Sequence, residues 1–344
     1  MHTTRDTLEH LLARRDLTEA QAAALLGELT NPELAPALAG ALLTALRCKG
    51  VTADEVRGFA MAMRARARRL NLPDAPDAID IVGTGGDSSG SLNLSTGAAL
   101  LAGACGLPII KHGNRSISSR SGSADLIEQL GFTLPLDADQ AARCFTATGF
   151  TFLYAPYFHP AMKSLAPVRA ALGVRTVFNL LGPLTNPAAP RYQLIGAYDA
   201  GTAELMAGTL LGMHTERAWV VHGAAGWDEA TPIGPFVAFD VWRGAITRHD
   251  IDPREYGLAV CTAADLKGGD AGVNFAALLL VFEGRDRGAH RAALLLQAAL
   301  ALFIAGRAAS IAAGIDAAAA ALDSGRALAW LRRLQAYAAE LSIP

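Results

Sequence analysis

Cysteine is scarce in this 344-residue chain, and so are an excess of one charge and long apolar runs. Cys48, Cys105, Cys144 and Cys261 stand far apart, with no Cys-x-x-Cys pair. That spacing excludes a zinc ribbon and a disulfide framework, and it predicts reduced thiols in a cytoplasmic protein. Lys and Arg number 30 against 32 Asp and Glu, a net charge of −2. A nucleic-acid surface needs a basic domain, so that partner is not expected. Any polyphosphate must be held by a few placed cations, by backbone N–H groups or by metal. The longest apolar run, Ala292 to Ala305, contains Gln297 and falls short of the ~20 residues of a membrane span. It reads as a core helix, with no membrane partner. The opening MHTTRDTLEHLLARR is charged and periodic, unlike a secretory leader. No internal repeat is visible.

What is present is enough for a large core. The chain is 51% hydrophobic and 18% charged, which predicts one large or two smaller domains and no extended disorder. Residues 5–70 read as purely helical. Thr18-x-x-Gln21 and Thr52-x-x-Glu55 are capping boxes, Asn31-Pro32 reads as a third helix start, and Gly50 sits where that helix would end. NLPDAPDA (71–78) reads as a linker. Beyond it AIDIV, LPII, FTFLY, YQLIGAY and RAWVV alternate with helical stretches, and FVAFDVWRGAIT reads as a hairpin bending at Gly244. The last 75 residues read as helical. The fold class is therefore α/β: a small all-helical N-terminal domain (1–72) and a larger domain (73–344) with a mostly parallel sheet flanked by helices. Residues 160–190 hold helices but no strand, and are expected to return to the small domain.

The chemistry concentrates in three turns. In DIVGTGGDSSGSLNLSTG (80–97) the strand AIDIV leads through Gly83, Gly85 and Gly86 toward a helix for which Ser95-Thr96 reads as the cap. Such a turn offers N–H groups and a helix dipole to an anion, although an ordinary βα loop has the same composition. No Gly-Lys-Ser/Thr follows, which rules out a P-loop, and the dinucleotide fingerprint fails at Ser88. The second turn, KHGNRSISSRSGSAD (111–125), carries Lys111, His112, Arg115 and Arg120 among serines and glycines, and helix DLIEQL begins at its end. Two such turns at neighbouring strand ends suit a ligand with two phosphate groups. The third, GAAGWDEATPIGP (223–235), holds Asp228 and Glu229. Adjacent carboxylates suit Mg²⁺, and they suit a helix N-cap equally well.

Together with HPAMKSLAPVRAALGVRTVFNLLGPLTNP (159–187), these motifs resemble anthranilate phosphoribosyltransferase along nearly the whole chain. The resemblance implies a dimerising helical domain and an α/β domain like that of pyrimidine nucleoside phosphorylases. It implies transfer of the phosphoribosyl group of phosphoribosyl pyrophosphate (PRPP) to the amine of anthranilate, with release of pyrophosphate, in tryptophan biosynthesis. Gly83, Gly86, Asp87, Ser91, Asn93, Leu94, Ser95 and Thr96 would hold PRPP. Lys111, His112, Gly113, Asn114, Arg115, Ser116, Ile117, Ser118, Ser119 and Ser123 would close around its other side. Two Mg²⁺ ions would be ligated, one by Ser95 and Glu229 and the other by Asp228 and Glu229. Arg169 would meet the anthranilate carboxylate, and Gly83, His112, Asn114, His159, Gly182 and Pro183 would line the path of its ring. His112 is the candidate proton acceptor, against the plainer reading of a contact residue. Phe158, Trp227 and Gln297 depart from the residues expected of the family at those places.

Other functions compete. A pyrimidine nucleoside phosphorylase would use inorganic phosphate and would need neither a carboxylate pair for metal nor an arginine for an aromatic acid. A non-catalytic homologue that binds nucleic acid would have lost these residues and gained a basic face. A paralogue acting on another aromatic amine is separated only by assay.

Overall fold

The computed structural model describes residues 3–72, 77–87, 89–116 and 120–341. Four helices come first: α1 (Thr4–Leu12), α2 (Glu19–Leu29), α3 (Pro36–Lys49) and α4 (Ala53–Ala65). Thr18 and Thr52 cap α2 and α4 through the boxes expected from sequence. The third start is displaced: α3 begins at Pro36, not Pro32. Asn31 instead accepts a hydrogen bond from the Glu33 N–H at 3.0 Å, closing a short turn that delays the helix. Gly50 ends α3 with a positive φ of 86°.

The seven strands are β1 (Ile79–Gly83), β2 (Ile109–Gly113), β3 (Phe150–Tyr154), β4 (Tyr192–Gly196), β5 (Arg217–His222), β6 (Phe236–Trp242) and β7 (Ala245–Ile251). They form one sheet in the order β3-β2-β1-β4-β5-β6-β7, parallel from β3 to β5. β6 and β7 are antiparallel, joined at Arg243 and Gly244, both with positive φ. β1 lies between β2 and β4, where successive crossovers run in opposite directions. Its carboxyl end therefore opens on the crevice where α/β sheets bind ligands.

The connecting helices are α5 (Leu94–Ala104), α6 (Ser123–Gln129), α7 (Ala138–Thr148), α8 (Ala155–Phe158), α9 (Ala166–Leu172), α10 (Phe178–Leu181) and α11 (Ala200–Leu211). The chain ends with α12 (Ala271–Phe282), α13 (Ala289–Ile304), α14 (Ile311–Asp323) and α15 (Arg326–Leu341).

Strand alternation builds two cores. Leu194, Trp219 and Val221 face one, with α5, α13, α14 and α15; Ile195, Ala218 and Val220 face the other, with α11 and the N-terminal helices. Leu165, Phe178, Leu180 and Leu181, from the strandless 160–190 stretch, join this second core. The apolar run 292–305 is α13 and its C-cap, buried as expected of a core helix.

Candidate functional site

The carboxylate pair is positioned by three glycines. Gly83 and Gly196 end β1 and β4 side by side, and Gly223 follows β5. A Cβ on Gly196 would sit 1.5 Å from the Asp228 carbonyl oxygen. On Gly223 it would sit 2.0 Å from the Glu229 carbonyl oxygen, and on Gly83 it would sit 2.4 Å from Asp228 Oδ2. The main chain of residues 228–229 therefore lies against Gly196 and Gly223, and the Asp228 carboxylate lies against Gly83. No helix follows the pair, so it is not an N-cap of its own segment.

The pair reaches back to the first glycine turn. The Gly85 N–H donates to Asp228 Oδ2 at 2.6 Å, and the Ser95 N–H donates to Glu229 Oε1 at 3.0 Å. Glu229 thus takes up an N–H in the first turn of α5, from a position 134 residues along the chain. The residue flanking the start of α5 is Asn93, so Ser95 and Thr96 lie inside the helix instead of capping it. Asn93 is engaged elsewhere: it donates to the Ser121 carbonyl at 3.1 Å and accepts from Asn274 at 2.8 Å. Gly85 and Gly86 have φ of 67° and 79°, torsions glycine adopts without strain. Asp87 accepts from the Ser89 N–H at 3.0 Å and from the Asp228 N–H at 3.4 Å, which brings a third carboxylate close to the pair. Ser91 Oγ lies 3.2 Å from Ser89 Oγ, and Leu94 and Thr96 are buried.

Both carboxyls are pushed well above their ordinary range. Burial lifts Asp228 to about 7, with Asp87 adding to it. Burial and then the charges of Asp228 and Asp87 raise Glu229, while the Ser95 N–H and Lys111 act against the rise. Lys111 is itself buried; its ammonium donates to the Ile81 carbonyl and lies near Asp80. Asp80, driven up to about 6 by burial, accepts from the His112 N–H at 3.2 Å and from Asn186 Nδ2 at 2.9 Å. Carboxylates outnumber ammonium here, and a hard divalent cation would relieve that imbalance. The donors are oxygens, which suits Mg²⁺. Mg²⁺ typically takes one or two carboxylates and completes its shell with water and phosphate. Among the described residues no three His, Cys, Asp or Glu side chains form a ready cage. The residues therefore fit such an ion.

The second turn is less cationic than its composition suggests. Lys111 is turned under β1, and burial, with His159 next, takes His112 down to about 3. Arg115 is paired with Asp125 at 2.9 Å and with Glu128 at 2.5 Å, on α6, which begins at Ser123. Ser123 Oγ donates to the Asn114 carbonyl at 3.2 Å and would meet any Cβ on Gly113. Ser116 is described and makes contacts of its own, whereas Ile117, Ser118 and Ser119 lie outside the described residues.

A third group gathers beside β2. His112 and His159 meet edge to face with ring centres 5.2 Å apart. His112 Nδ1 lies 3.2 Å from the Gly182 carbonyl, which sets the proton on Nδ1 and leaves Nε2 without a protein partner. Burial brings His159 down to about 4, so both rings are neutral near pH 7. Pro183 is buried alongside, its carbonyl accepting from Gln193 Nε2 at 3.3 Å. Arg169 projects from α9 with its guanidinium 5.4 Å from the centre of the Phe178 ring. Desolvation lowers its pKa, and among the described residues no carboxylate pairs with it. A half-buried guanidinium without a counter-ion suits a carboxylate brought by a ligand.

Several contributors were missed in the sequence. Gly196 and Gly223 carry no chemistry of their own. Asn186 ties Asp80 to the Ile110 carbonyl, with 2.9 Å to each. Arg175 donates to the Gly86 carbonyl and stacks 4.0 Å from the Tyr198 ring centre, while its own carbonyl accepts from Arg47. Of the three departures, Phe158 is sealed in the core against Tyr157, Trp227 is buried, and Gln297 lies on α13 beneath the carboxylates.

Residues 75–328 match the family model described as "Glycosyl transferase family, a/b domain", and residues 5–67 match its "helical bundle domain". The chain is 44% identical to the anthranilate phosphoribosyltransferase of Rubrobacter xylanophilus, over 96% of each chain. It is 48% identical to that of Methylobacterium nodulans, over 93% of this chain and 94% of the relative. The crystal structure of the Thermus thermophilus enzyme superposes with a TM-score of 0.89 at 39% identity, covering 97% of this chain and 99% of that one. A Saccharomyces cerevisiae enzyme in complex with PRPP and Mg gives 0.83 at 26% identity, covering 98% and 94%.

Proposed function

The chain belongs to the anthranilate phosphoribosyltransferase family, and on that premise we propose that it transfers the phosphoribosyl group of PRPP to the amine of anthranilate, releasing pyrophosphate, in tryptophan biosynthesis. The observation that carries this reading is the meeting of Asp228 and Glu229 with the N–H groups of Gly85 and Ser95 at the switch point of the sheet. Relatives in complex with PRPP and Mg and with 4-fluoroanthranilate support the two substrates. In this reading residues 1–72, joined by 160–190, form one domain and the rest the other. The unpaired cysteines suit a reducing compartment, the cytoplasm. No described helix is long and apolar enough to cross a membrane.

The amine of anthranilate is a weak nucleophile because its lone pair is delocalised, so departure of pyrophosphate must be assisted. Mg²⁺, held by Asp228, Glu229 and Ser95, supplies charge neutralisation on the leaving group when bound; two ions share these ligands in our reading. The glycine turn and the positive end of α5 bind phosphate oxygens through N–H groups. Arg169 holds the anthranilate carboxylate and presents the amine to the ribose. The neutral rings of His112 and His159, with Gly182 and Pro183, line the aromatic face. A conjugate acid near 3 makes His112 a poor base, so we assign it contact with the ring. Closing the helical layer over the turns excludes water, which would otherwise hydrolyse PRPP.

A steady-state assay with PRPP, Mg²⁺ and a panel of aminobenzoates tests this reading, and turnover of uridine with phosphate instead would replace it. Arg169→Ala is expected to raise KM for anthranilate ten- to a hundredfold, since a charged hydrogen bond contributes roughly 1.5–3 kcal/mol. KM for PRPP should barely move, and equal damage to both constants would remove the role given to Arg169.

We also propose a homodimer through the helical layer. α3 (PALAGALLTALRCK) carries more apolar residues than one helix face needs, and Leu42, Leu43 and Leu46 are buried within one chain. Leu12 on α1 and Val174 after α9 remain 60% and 50% exposed. Light scattering at micromolar concentration should give twice the chain mass; a monomer there contradicts this assembly.

A further inference from the structure

Beneath the carboxylate pair lies a small cavity whose walls are apolar in part, from Ile81, Leu194, Val221 and Ala230, and elsewhere carry Asp228, Glu229 and Gln297. It offers about 10 Å³ to the centre of a water molecule, room for one. Gln297, in the middle of α13, is 3% exposed, and its Nε2 meets no acceptor in the protein. An amide has two N–H donors and an acceptor, and burying a donor without a partner is costly. Apolar cavities stay dry, but Asp228, Glu229 and Gln297 all contribute to the wall of this one, and a water held there would need two or more of their polar groups as partners.

We propose that this cavity binds one water that links the Gln297 amide to the Asp228–Glu229 carboxylates, making Gln297 a positioning residue for the pair. The proposal rests on the metal-binding reading of those carboxylates. Glu229 is anchored on one oxygen by the Ser95 N–H. A donor reaching the pair from α13 through that water fixes the orientation of the carboxylates before an ion arrives. Outer partners of this kind typically change metal affinity 10–100-fold when removed. α13 packs on α5, which carries Ser95, so the amide and the helix start move as one body. This gives a function to a residue whose type departs from that expected of the family.

The test uses the full chain as parent, Gln297→Leu and Gln297→Asn. A high-resolution crystal structure of the parent should show a water within hydrogen-bond reach of the amide and of one carboxylate. Gln297→Leu should lack it and bind Mg²⁺ about tenfold more weakly by calorimetry in the presence of pyrophosphate. Gln297→Asn, which keeps an amide, should retain most of the affinity. A dry cavity in the parent, or a folded leucine variant that binds Mg²⁺ like the parent, overturns the proposal. If the leucine variant does not fold, the parent's electron density decides. Failure of the parent to turn over anthranilate would overturn the functional reading instead, without touching the water.

Discussion

Replacing both Asp228 and Glu229 by alanine should cut kcat by about a thousandfold or more at saturating substrate. The pyrophosphate would then leave without its ion, and several kcal/mol of transition-state stabilisation are involved, at ~1.4 kcal/mol per tenfold in rate. Glu229→Ala should be worse than Asp228→Ala, because the proposed two-ion reading gives Glu229 a place on both ions and Asp228 on one. The fold should survive. Two effects oppose each other in the metal-free protein: the first turn of α5 loses the acceptor of the Ser95 N–H, and two buried carboxylates that repel each other disappear. The second effect depends on pH. Burial carries Asp228 up to about 7, so the folded protein holds this proton more tightly than the unfolded chain does. Ionising it costs stability progressively as pH rises from the ordinary carboxylate range through 7. Melting temperatures without metal should therefore favour the double variant, relative to the parent, more at about pH 8 than at about pH 5. A double variant that keeps near-native kcat and melts several degrees lower would reduce the pair to a structural cap of α5.

Gly196→Ala should be nearly as damaging, although glycine takes no part in the chemistry. Its Cβ would land 1.5 Å from the Asp228 carbonyl oxygen, less than half a normal contact distance. The main chain carrying the carboxylates must retreat by more than an ångström. A shift of ~1 Å in a positioned group can cost a hundredfold in rate, and that is the expected fall in kcat/KM. Gly272→Ala, in the exposed first turn of α12, meets only Asp270 Oδ1 at 3.5 Å and should leave activity unchanged. Full activity in Gly196→Ala would mean that the site does not need residues 228–229 where the structure has them.

The strands were legible because AIDIV, FTFLY and RAWVV are short apolar runs closed by turn residues, a signal that depends only on neighbours in sequence. Thr18 and Thr52 were legible for the same reason, since a capping box is complete within four residues. Asn31-Pro32 misled because two prolines compete for one helix start and the Glu33 N–H settles the matter locally. Ser95-Thr96 misled because the acceptor near the start of α5 is Glu229, far along the chain. The net charge of KHGNR is not visible in sequence for a similar reason: Asp125 and Glu128 on α6 pair with Arg115, and Lys111 is buried. The residue types of the site could be read, but their electrostatic states depend on contacts that no short window contains.

The three glycines at the ends of β1, β4 and β5 bear on heredity as well as on geometry. Every missense change at a glycine codon introduces an atom at Cβ, so at Gly196 and Gly223 the genetic code offers no conservative neighbour. None of the three has a positive φ, so the constraint is vacant space and not torsion. A mutational scan of this gene should score Gly196 and Gly223 as intolerant as the carboxylates themselves, while Gly50 or Gly149, which have positive φ and open surroundings, lose only stability. Suppressors should also sort accordingly: second-site changes that stabilise the whole protein would rescue Gly149 variants, and none should rescue Gly196.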